Sequence, residues 1–406
     1  MAKRKKTKKN RTLIWSILIL LLAGALATGI YFRVDEALIA LMTDEKGSTE
    51  VLAKKQTQDK SGSDGDKKTK TKDGKKKTEA KDDKAKTKKD KTKTEEKDTV
   101  VVLTGDIELS SYVQKNYDAG GIEQVVSAGL RQYLTDADIL EVNNEFAFST
   151  RGTPAPDKQY TFRVNPSYVS VLTDLGVDVA GLANNHSLDY GKEALTDTFT
   201  TLSDAGIAYT GAGNDLADAS KLVIKEANGK KIGFLAASRV IPVGSWNVEN
   251  SRPGIFTCYD TTALINAIKE ARPKVDVLFV CVHWGTEHTD VLTDYQKANG
   301  RAYIDAGADA VIGAHPHVLQ GIEYYNGKPI FYSLGNFIFN QNINSTMAVQ
   351  FTISPKNEIR IRLHPATAVN ATTSYATPEK SEAIFSYLMS ISPGVSIDKE
   401  GNMTPK

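Results

Sequence analysis

The chain has 406 residues and a net charge of only +2, but this charge is unevenly distributed. Residues 1–98 carry 27 Lys and Arg against 16 Asp and Glu, a surplus of 11 positive charges, whereas the remaining residues carry 24 against 33, a surplus of 9 negative charges. A basic front end and an acidic body are different physical objects, and the acidic body argues against a nucleic-acid partner. With only Cys258 and Cys281 there is no disulfide framework, so an apolar core must hold the fold.

The N-terminus has the pattern of a membrane anchor. Residues 1–11 hold seven positive charges, and residues 12–32 (TLIWSILILLLAGALATGIYF) hold none. About 20 apolar residues suffice to cross the hydrocarbon core as a helix, and the preceding Lys/Arg cluster predicts a cytoplasmic N-terminus with the body extracellular. A cleaved signal peptide is the alternative, with a small-residue site at 25–27. Because the apolar run continues to Phe32, the pattern favours an uncleaved single-pass anchor in the cell membrane.

Residues 33–98 are predicted to form a disordered, Lys-rich spacer. From Lys54 to Asp98 the sequence is almost entirely Lys, Thr, Asp, Glu, Gly and Ser. Such a segment cannot bury enough apolar surface to offset its ordering entropy. It is either a plain solvated linker or a basic tether that reaches through an anionic cell wall.

Residues 99–406 are predicted to be one folded α/β domain, because apolar runs alternate with helical patterns. The predicted strands are TVVVLTGD (99–106), ADILEVNNE (137–145), DVAGLANNH (178–186), VDVLFVCVHWG (275–285) and ADAVIGAHPH (308–317). Residues 221–238 read as two strands joined by an Asn-Gly hairpin turn. Helices are predicted at 166–177, at 191–206 with Gly206 as the C-cap, at 261–272 and at 293–307. Three runs look like closing strands: 328–339, 346–354 and 358–364.

Several of the predicted strands end in polar side chains of the kind that bind metals. These are Asp106, Glu145, Asn185 with His186, His283, and His315 with His317. Ligand sites of α/β sheets form just outside the carboxyl ends of strands, so these side chains are expected to converge. Carboxylate, amide oxygen and imidazole together suit a borderline divalent metal, either Mn, Zn or Fe, as one ion or two.

Each of these residues also has a structural interpretation. Asp106 could cap a helix, Glu145 could be a surface carboxylate, Asn185 could shape a turn, and His283 could be a stacked core histidine. Asn336 could face the site or belong to a plain turn. His288 is expected to be exposed, and His364 is expected to lie outside the site. Their clustering at strand ends favours metal binding over the separate structural roles.

With these residues assembled, the chain resembles the CapA (PgsA-like) poly-γ-glutamate capsule biosynthesis proteins, a branch of the calcineurin-like metallophosphoesterase superfamily. The resemblance rests on six segments in order: TGDI, NNE, ANNHSLDYG, VHWGTEH, GAHPHVLQG and YSLGNFIF. It implies a four-layer α-β-β-α sandwich with a dinuclear metal site.

The resemblance also implies a role for each position. Asp106 and His317 would bind the first metal, Glu145 would bridge, and Asn185, His283 and His315 would bind the second. His186 resembles the catalytic acid. Two positions depart from the phosphoesterase pattern: Glu108 stands where a histidine would be, and VNNEF replaces a Gly-Asp-x-x-Asp segment. These departures weaken the case for two metals and for phosphoesterase activity.

Three functions are compatible with this sequence. The first is a membrane-anchored extracellular protein that supports poly-γ-glutamate synthesis or export, with a membrane synthetase/export complex as its partner. The acidic body repels an anionic polymer unless metal ions offset the repulsion, which supports a role for the metal site and argues against simple electrostatic capture. The second is a metal-dependent hydrolase of an envelope phosphoester or amide. The third is a non-catalytic scaffold that keeps the fold, which the Glu108 departure favours over the second.

Overall fold

The computed structural model describes residues 97–406. The basic segment 1–11, the predicted anchor 12–32 and all but the last two residues of the predicted spacer 33–98 lie outside the described residues. Within residues 97–406, no helix combines the length and apolar character that crossing a membrane requires.

The described part of the chain alternates strands and helices, as the sequence predicts. Its strands are β1 (Thr99–Ile107), β2 (Ile139–Asn144), β3 (Ala147–Phe148), β4 (Arg163–Val164), β5 (Val179–Gly181), β6 (Ala208–Thr210), β7 (Ala212–Gly213), β8 (Val223–Ala227), β9 (Lys230–Ser238), β10 (Gly254–Ile255), β11 (Val277–His283), β12 (Ala310–Ala314), β13 (Ile322–Tyr325), β14 (Lys328–Phe331), β15 (Asn336–Ile338), β16 (Ile343–Ile353), β17 (Ile359–Val369), β18 (Thr372–Tyr375), β19 (Val395–Ile397) and β20 (Asn402–Pro405). Its helices are α1 (Ser111–Gly120), α2 (Ala128–Thr135), α3 (Val169–Leu175), α4 (Gly191–Asp204), α5 (Leu216–Ala219), α6 (Thr262–Ala271), α7 (Asp294–Ala306) and α8 (Pro378–Ser390).

Two mixed sheets dominate the fold, which confirms the predicted α/β class. The first has ten strands in the order β19-β20-β17-β16-β1-β2-β5-β6, with β15 beside β1 and β18 beside β17. Strands β1, β2, β5 and β6 run parallel, and β16 joins β1 antiparallel. The second sheet has the order β13-β14-β12-β11-β9-β8, with parallel inner strands and antiparallel edges.

Within residues 97–406, the buried apolar residues form three clusters. One lies between the two sheets, where the rings of Phe279 on β11 and Phe351 on β16 meet edge-on with centroids 4.8 Å apart. A second packs α2, α3 and α4 against the first sheet, and a third packs α6 and α7 against the second. Truncating a buried ring such as Phe279 to alanine is expected to cost about 3–5 kcal/mol.

Local signals explain several boundaries. Helix α7 begins with a capping box, in which the Thr293 hydroxyl accepts a hydrogen bond from the Gln296 amide and the Gln296 side chain accepts one from the Thr293 amide. The Asn228-Gly229 turn has the two positive φ angles, 48° and 80°, that a tight hairpin needs. The run 328–339 is not one closing strand: it splits into β14 in the second sheet and β15 in the first. Gly335, with φ 71°, lies in the break.

Candidate metal centre

The site forms where the strands of both sheets end. At the end of β1, Asp106 lies opposite Asn143 of β2 on one side and Asn336 of β15 on the other. At the end of β11, His283 lies opposite Ala314, the last residue of β12. Parallel pairing therefore brings the terminal side chains of each sheet to one edge, as expected for ligand sites in such folds.

Close backbone contacts fix this edge. A Cβ atom on Gly105 would lie 1.8 Å from the Gly335 carbonyl oxygen, and one on Gly313 would lie 2.0 Å from the Tyr332 carbonyl oxygen. Only glycine permits two backbone segments to approach each other this closely. These two glycines hold the strand before Asp106 and the strand before His315 tightly against their neighbours.

The inner part of the site is a buried group of three potential ligands, Asp106, Glu145 and His283. His283 Nδ1 lies 3.4 Å from Glu145 Oε1, and His283 Nε2 donates to Asn185 Oδ1 at 2.9 Å. The side chain of Asn143 lies among them, and its Nδ2 is 2.8 Å from both Asp106 Oδ1 and Glu145 Oε1. Four of the predicted ligands thus come together in one place.

The outer part of the site is a second group of potential ligands, Glu287, His315 and His317. His315 Nε2 lies 4.0 Å from Glu287 Oε1, and His317 Nδ1 lies 3.5 Å from Asp106 Oδ2, which links the two groups. His315 and His317 have φ angles of 98° and 59°. Backbone strain of this kind is concentrated at functional sites, where the surrounding structure must hold it.

Burial, hydrogen bonds and neighbouring charges together set the protonation of these groups. Burial lowers the pKa of His283 well below its usual value and that of His315 to about 3, so both imidazoles are neutral at pH 7. Burial, with the adjacent Asp106 charge, raises the pKa of Glu145. Burial also pulls the pKa of His317 down, but its hydrogen bond to Asp106 and the charges of Glu145 and Asp106 outweigh this and raise it to about 10. The neutral imidazoles are in the form that binds metal.

The predicted catalytic residue, His186, is held beside the centre by a buried network. The Asn184 amide oxygen shapes its turn by accepting from the His186 backbone amide at 3.1 Å. His186 Nδ1 donates to Asp189 Oδ2 at 2.7 Å, and the Phe162 ring stacks on the imidazole. Lys158 pairs with the other oxygen of Asp189. Burial lowers the pKa of His186, so the ring is neutral at pH 7 with its proton on Nδ1.

An open cavity of about 490 Å³ leads to the site. Its wall has four aromatic side chains, Tyr112, Tyr160, Phe162 and Phe339, and several polar ones, including Glu108, His186, Glu287, His317 and Asn336. Asn336 also contacts His317, at 2.7 Å from its Nδ1. A small polar or anionic group of a larger ligand can therefore reach the histidines from solvent.

The donor set fits a divalent metal ion. Among the described residues, Glu145 Oε2 and His315 Nδ1 are buried and have no hydrogen-bond partner. Buried polar atoms without partners are costly and call for an explanation, and a cation is one. Carboxylates and imidazoles without a thiolate match Mn, Zn or Fe, and His317 would have to lose its proton to bind the ion. The structure therefore contains candidate metal-binding groups of His, Asp and Glu.

The structure brings together every predicted site residue, and it adds four that the sequence did not single out. Asn143 and Glu287 lie within quoted segments but had no predicted role. Asp189 follows His186 by three residues, a spacing that could have identified it. Lys158 comes from an irregular loop, and no periodic signal marks it. Glu108 lies in the cavity wall and belongs to neither group of ligands, whereas His288 is 74% exposed, as expected, and His364 lies elsewhere on β17.

The fold and site define an α/β protein with a candidate metal centre at the carboxyl ends of its strands. Residues 100–341 match the family described as "Bacterial capsule synthesis protein PGA_cap". The chain belongs to this family, which confirms the resemblance found in its sequence.

Relatives support this assignment. The PGA biosynthesis protein CapA of Bacillus subtilis (strain 168) is 33% identical over 288 residues, covering 70% of this chain and 75% of that protein. The capsule biosynthesis protein CapA of Bacillus anthracis is 30% identical over 258 residues, 62% of each chain. Among solved structures, a 5'-nucleotidase from Candida albicans SC5314 aligns over 66% of this chain and 52% of its own with 11% identity and a TM-score of 0.38, too low to support a conclusion.

Proposed function

We propose that the protein supports poly-γ-glutamate capsule synthesis or export and that it uses a divalent metal centre to do so. The observation that carries this proposal is the convergence of Asp106, Glu145 and His283 with Glu287, His315 and His317 in a member of the PGA_cap family. The metal is Mn, Zn or Fe, bound as one ion or two. When bound, it supplies positive charge and Lewis acidity at the end of the cavity.

The metal also resolves a problem of charge. Residues 99–406 carry a surplus of 9 negative charges, so the body repels an anionic polymer on electrostatic grounds. A cation held by the strand-end residues gives the polymer's carboxylates a local partner. The aromatic wall of the cavity, including Tyr160 and Phe162, then offers flat apolar surface to the rest of the chain.

The proposed location and partner are inferred from the sequence. We propose a single-pass anchor at 12–32, a Lys-rich spacer at 33–98 and an extracellular domain at 99–406, which acts with a membrane synthetase/export complex. The relatives named for PGA and capsule biosynthesis support this partner. We also propose that the body is a four-layer α-β-β-α sandwich of the metallophosphoesterase type. The three apolar clusters support that architecture: helices pack on the first sheet, the two sheets pack on each other, and helices pack on the second sheet.

A second candidate is a metal-dependent hydrolase of an envelope phosphoester or amide. The observation that favours it is the fixed orientation of His186, whose Nδ1 donates to Asp189 and whose ring lies in the cavity wall. In its imidazolium form, whose charge Asp189 balances, a histidine so placed can give its Nε2 proton to a leaving oxygen. Glu108, which belongs to neither group of ligands, favours a scaffold without activity instead.

A complementation experiment tests the main proposal. The full-length chain is expressed in a polyglutamate-producing bacterium that lacks its own CapA relative, and surface polyglutamate is measured. We expect the wild type and His364→Ala to restore the polymer, and His283→Ala to fail at equal protein level. His364 is the matched control because it is also a buried histidine but lies outside the centre. Restoration by His283→Ala would contradict the metal role and leave the scaffold.

A further inference from the structure

Arg239 directly follows β9, at the edge of the second sheet where the metal centre forms. Ser238, the last residue of β9, is in register with His283 of β11, and the Arg239 amide donates to the His283 carbonyl oxygen at 2.8 Å. Neighbouring strands lie about 4.8 Å apart, so the backbone of Arg239 lies directly beside that of a candidate metal ligand. The chain therefore carries an arginine next to the centre that the metal does not use.

The guanidinium group of Arg239 has neither a hydrogen-bond partner nor an ion-pair partner among residues 97–406. Every other arginine in that range has at least one side-chain hydrogen bond. A guanidinium has five N–H donors, and Arg239 is partly buried, so leaving those donors without an acceptor is costly. The unpaired group therefore calls for an acceptor from outside the described chain.

Two tyrosine rings hold this guanidinium in place. Its central carbon lies over the ring of Tyr259, 4.3 Å from the centroid, and over the ring of Tyr295, 5.0 Å from the centroid. Both rings are themselves fixed: the Tyr259 hydroxyl accepts from the Ile241 amide at 3.1 Å, and the Tyr295 hydroxyl accepts from the Gly285 amide at 2.8 Å. The attraction between a cation and a ring face needs no hydrogen-bond acceptor, so the N–H donors of Arg239 stay available to a ligand.

We propose that Arg239 binds a carboxylate of the poly-γ-glutamate chain beside the metal centre. The inference rests on the proposed function and names a residue, outside the two groups of metal ligands, that holds the polymer. A guanidinium matches the two oxygens of a carboxylate with two parallel hydrogen bonds. Poly-γ-glutamate has a free carboxylate on every unit, so one carboxylate can face the metal while another on the same chain pairs with Arg239. This cation also offsets part of the repulsion between the acidic body and the polymer.

Fluorescence anisotropy of a dye-labelled poly-γ-glutamate oligomer tests this assignment on the full-length protein in mild detergent with manganese. Arg239→Ala removes the charge and the donors and is expected to weaken binding at least about tenfold. Arg239→Lys keeps the charge but loses the two parallel hydrogen bonds, and is expected to weaken binding at least about threefold. Arg301→Ala is the matched control, because Arg301 also lies over a tyrosine ring but already pairs with Glu323. It removes the same charge and should change the affinity less than about twofold.

Several results would overturn the assignment. An Arg239→Ala variant that binds the oligomer as tightly as the wild type, with only a lower melting temperature, would show that the arginine merely supports the tyrosines. Should Arg239→Ala not fold, Arg239→Lys decides, and an unchanged affinity in that variant refutes the proposal.

Two further arms separate this inference from the proposed function. If inorganic polyphosphate displaces the labelled oligomer from the wild type at lower concentrations than unlabelled poly-γ-glutamate does, the site prefers phosphate and the carboxylate assignment is wrong. If the wild type does not bind the oligomer at all, the proposed function fails and this inference fails with it. Equal binding by the wild type and Arg239→Ala overturns this inference alone.

Discussion

Asp189 is the residue whose loss should disturb the site most without removing a predicted metal ligand. It is fully buried, and its carboxylate accepts from three donors: His186 Nδ1 at 2.7 Å, the Phe162 amide at 2.7 Å and the ammonium group of Lys158. The Lys158 side chain is only 14% exposed. Asp189→Asn keeps the shape, removes the negative charge and leaves the Lys158 ammonium buried without a counter-charge.

Breaking a buried ion pair from one side costs about 3–5 kcal/mol, whereas replacing both partners with uncharged groups is often nearly neutral. We therefore expect Asp189→Asn to lower the free energy of unfolding by about 3–5 kcal/mol. Lys158→Met in the same chain should restore most of this loss. The methionine keeps the apolar stem beside Trp246, over whose ring Lys158 lies.

Urea unfolding of the wild type, the two single variants and the double variant gives the coupling energy directly. We expect the double variant to be more stable than Asp189→Asn alone by at least about 2 kcal/mol. Two results would show that Asp189 and Lys158 do not form a buried ion pair. One is a loss of less than about 1 kcal/mol in the free energy of unfolding of Asp189→Asn. The other is a loss in the double variant that equals the sum of the losses in the two single variants.

Three other perturbations test separate parts of the structure. Burial raises the pKa of Glu141 from 4.5 to about 8, so the free energy of unfolding of the wild type falls as pH rises between these values. In urea unfolding, the stability of Glu141→Met relative to the wild type should therefore increase by about 3–5 kcal/mol from about pH 5 to about pH 8. Burial lowers the pKa of His364 from 6.5 to about 3, so the free energy of unfolding of the wild type falls as pH falls below 6.5. The stability of His364→Phe relative to the wild type should therefore increase by about 3 kcal/mol from about pH 7 to about pH 4. A pH-independent difference would contradict either prediction. Gly105→Ala should lower the free energy of unfolding by about 1–3 kcal/mol or more, and it should lower the metal content, because the added methyl group would overlap the Gly335 carbonyl oxygen. A stable variant with its full metal content would refute that contact.

The sequence predicted the candidate site better than it predicted the details of the fold. Parallel strands place their carboxyl ends at one edge, so polar residues directly after apolar runs, such as Asp106 and His283, could be grouped without knowing the sheet order. Glu287 and Lys158 could not be found this way because they lie in irregular segments away from strand ends. The predicted roles of the individual ligands remain predictions.

Some elements were not predicted from the sequence. Helix α1 is one of them, and it buries only Val113 against the rest of the fold. The run 328–339 reads as one apolar strand because both halves are buried. Only the tertiary structure, with β14 and β15 in different sheets, shows that the chain turns between them.

Metal content is the most direct test of the central claim that strand-end side chains from distant segments form a cation site. Elemental analysis of the full-length protein, prepared without chelator and supplied with manganese, zinc and iron, should find one or two equivalents of one metal in the wild type and in His364→Ala. It should find a clear loss in His283→Ala and in a variant that lacks both His315 and His317. A wild type without metal, or a content that these substitutions leave unchanged, would contradict the account.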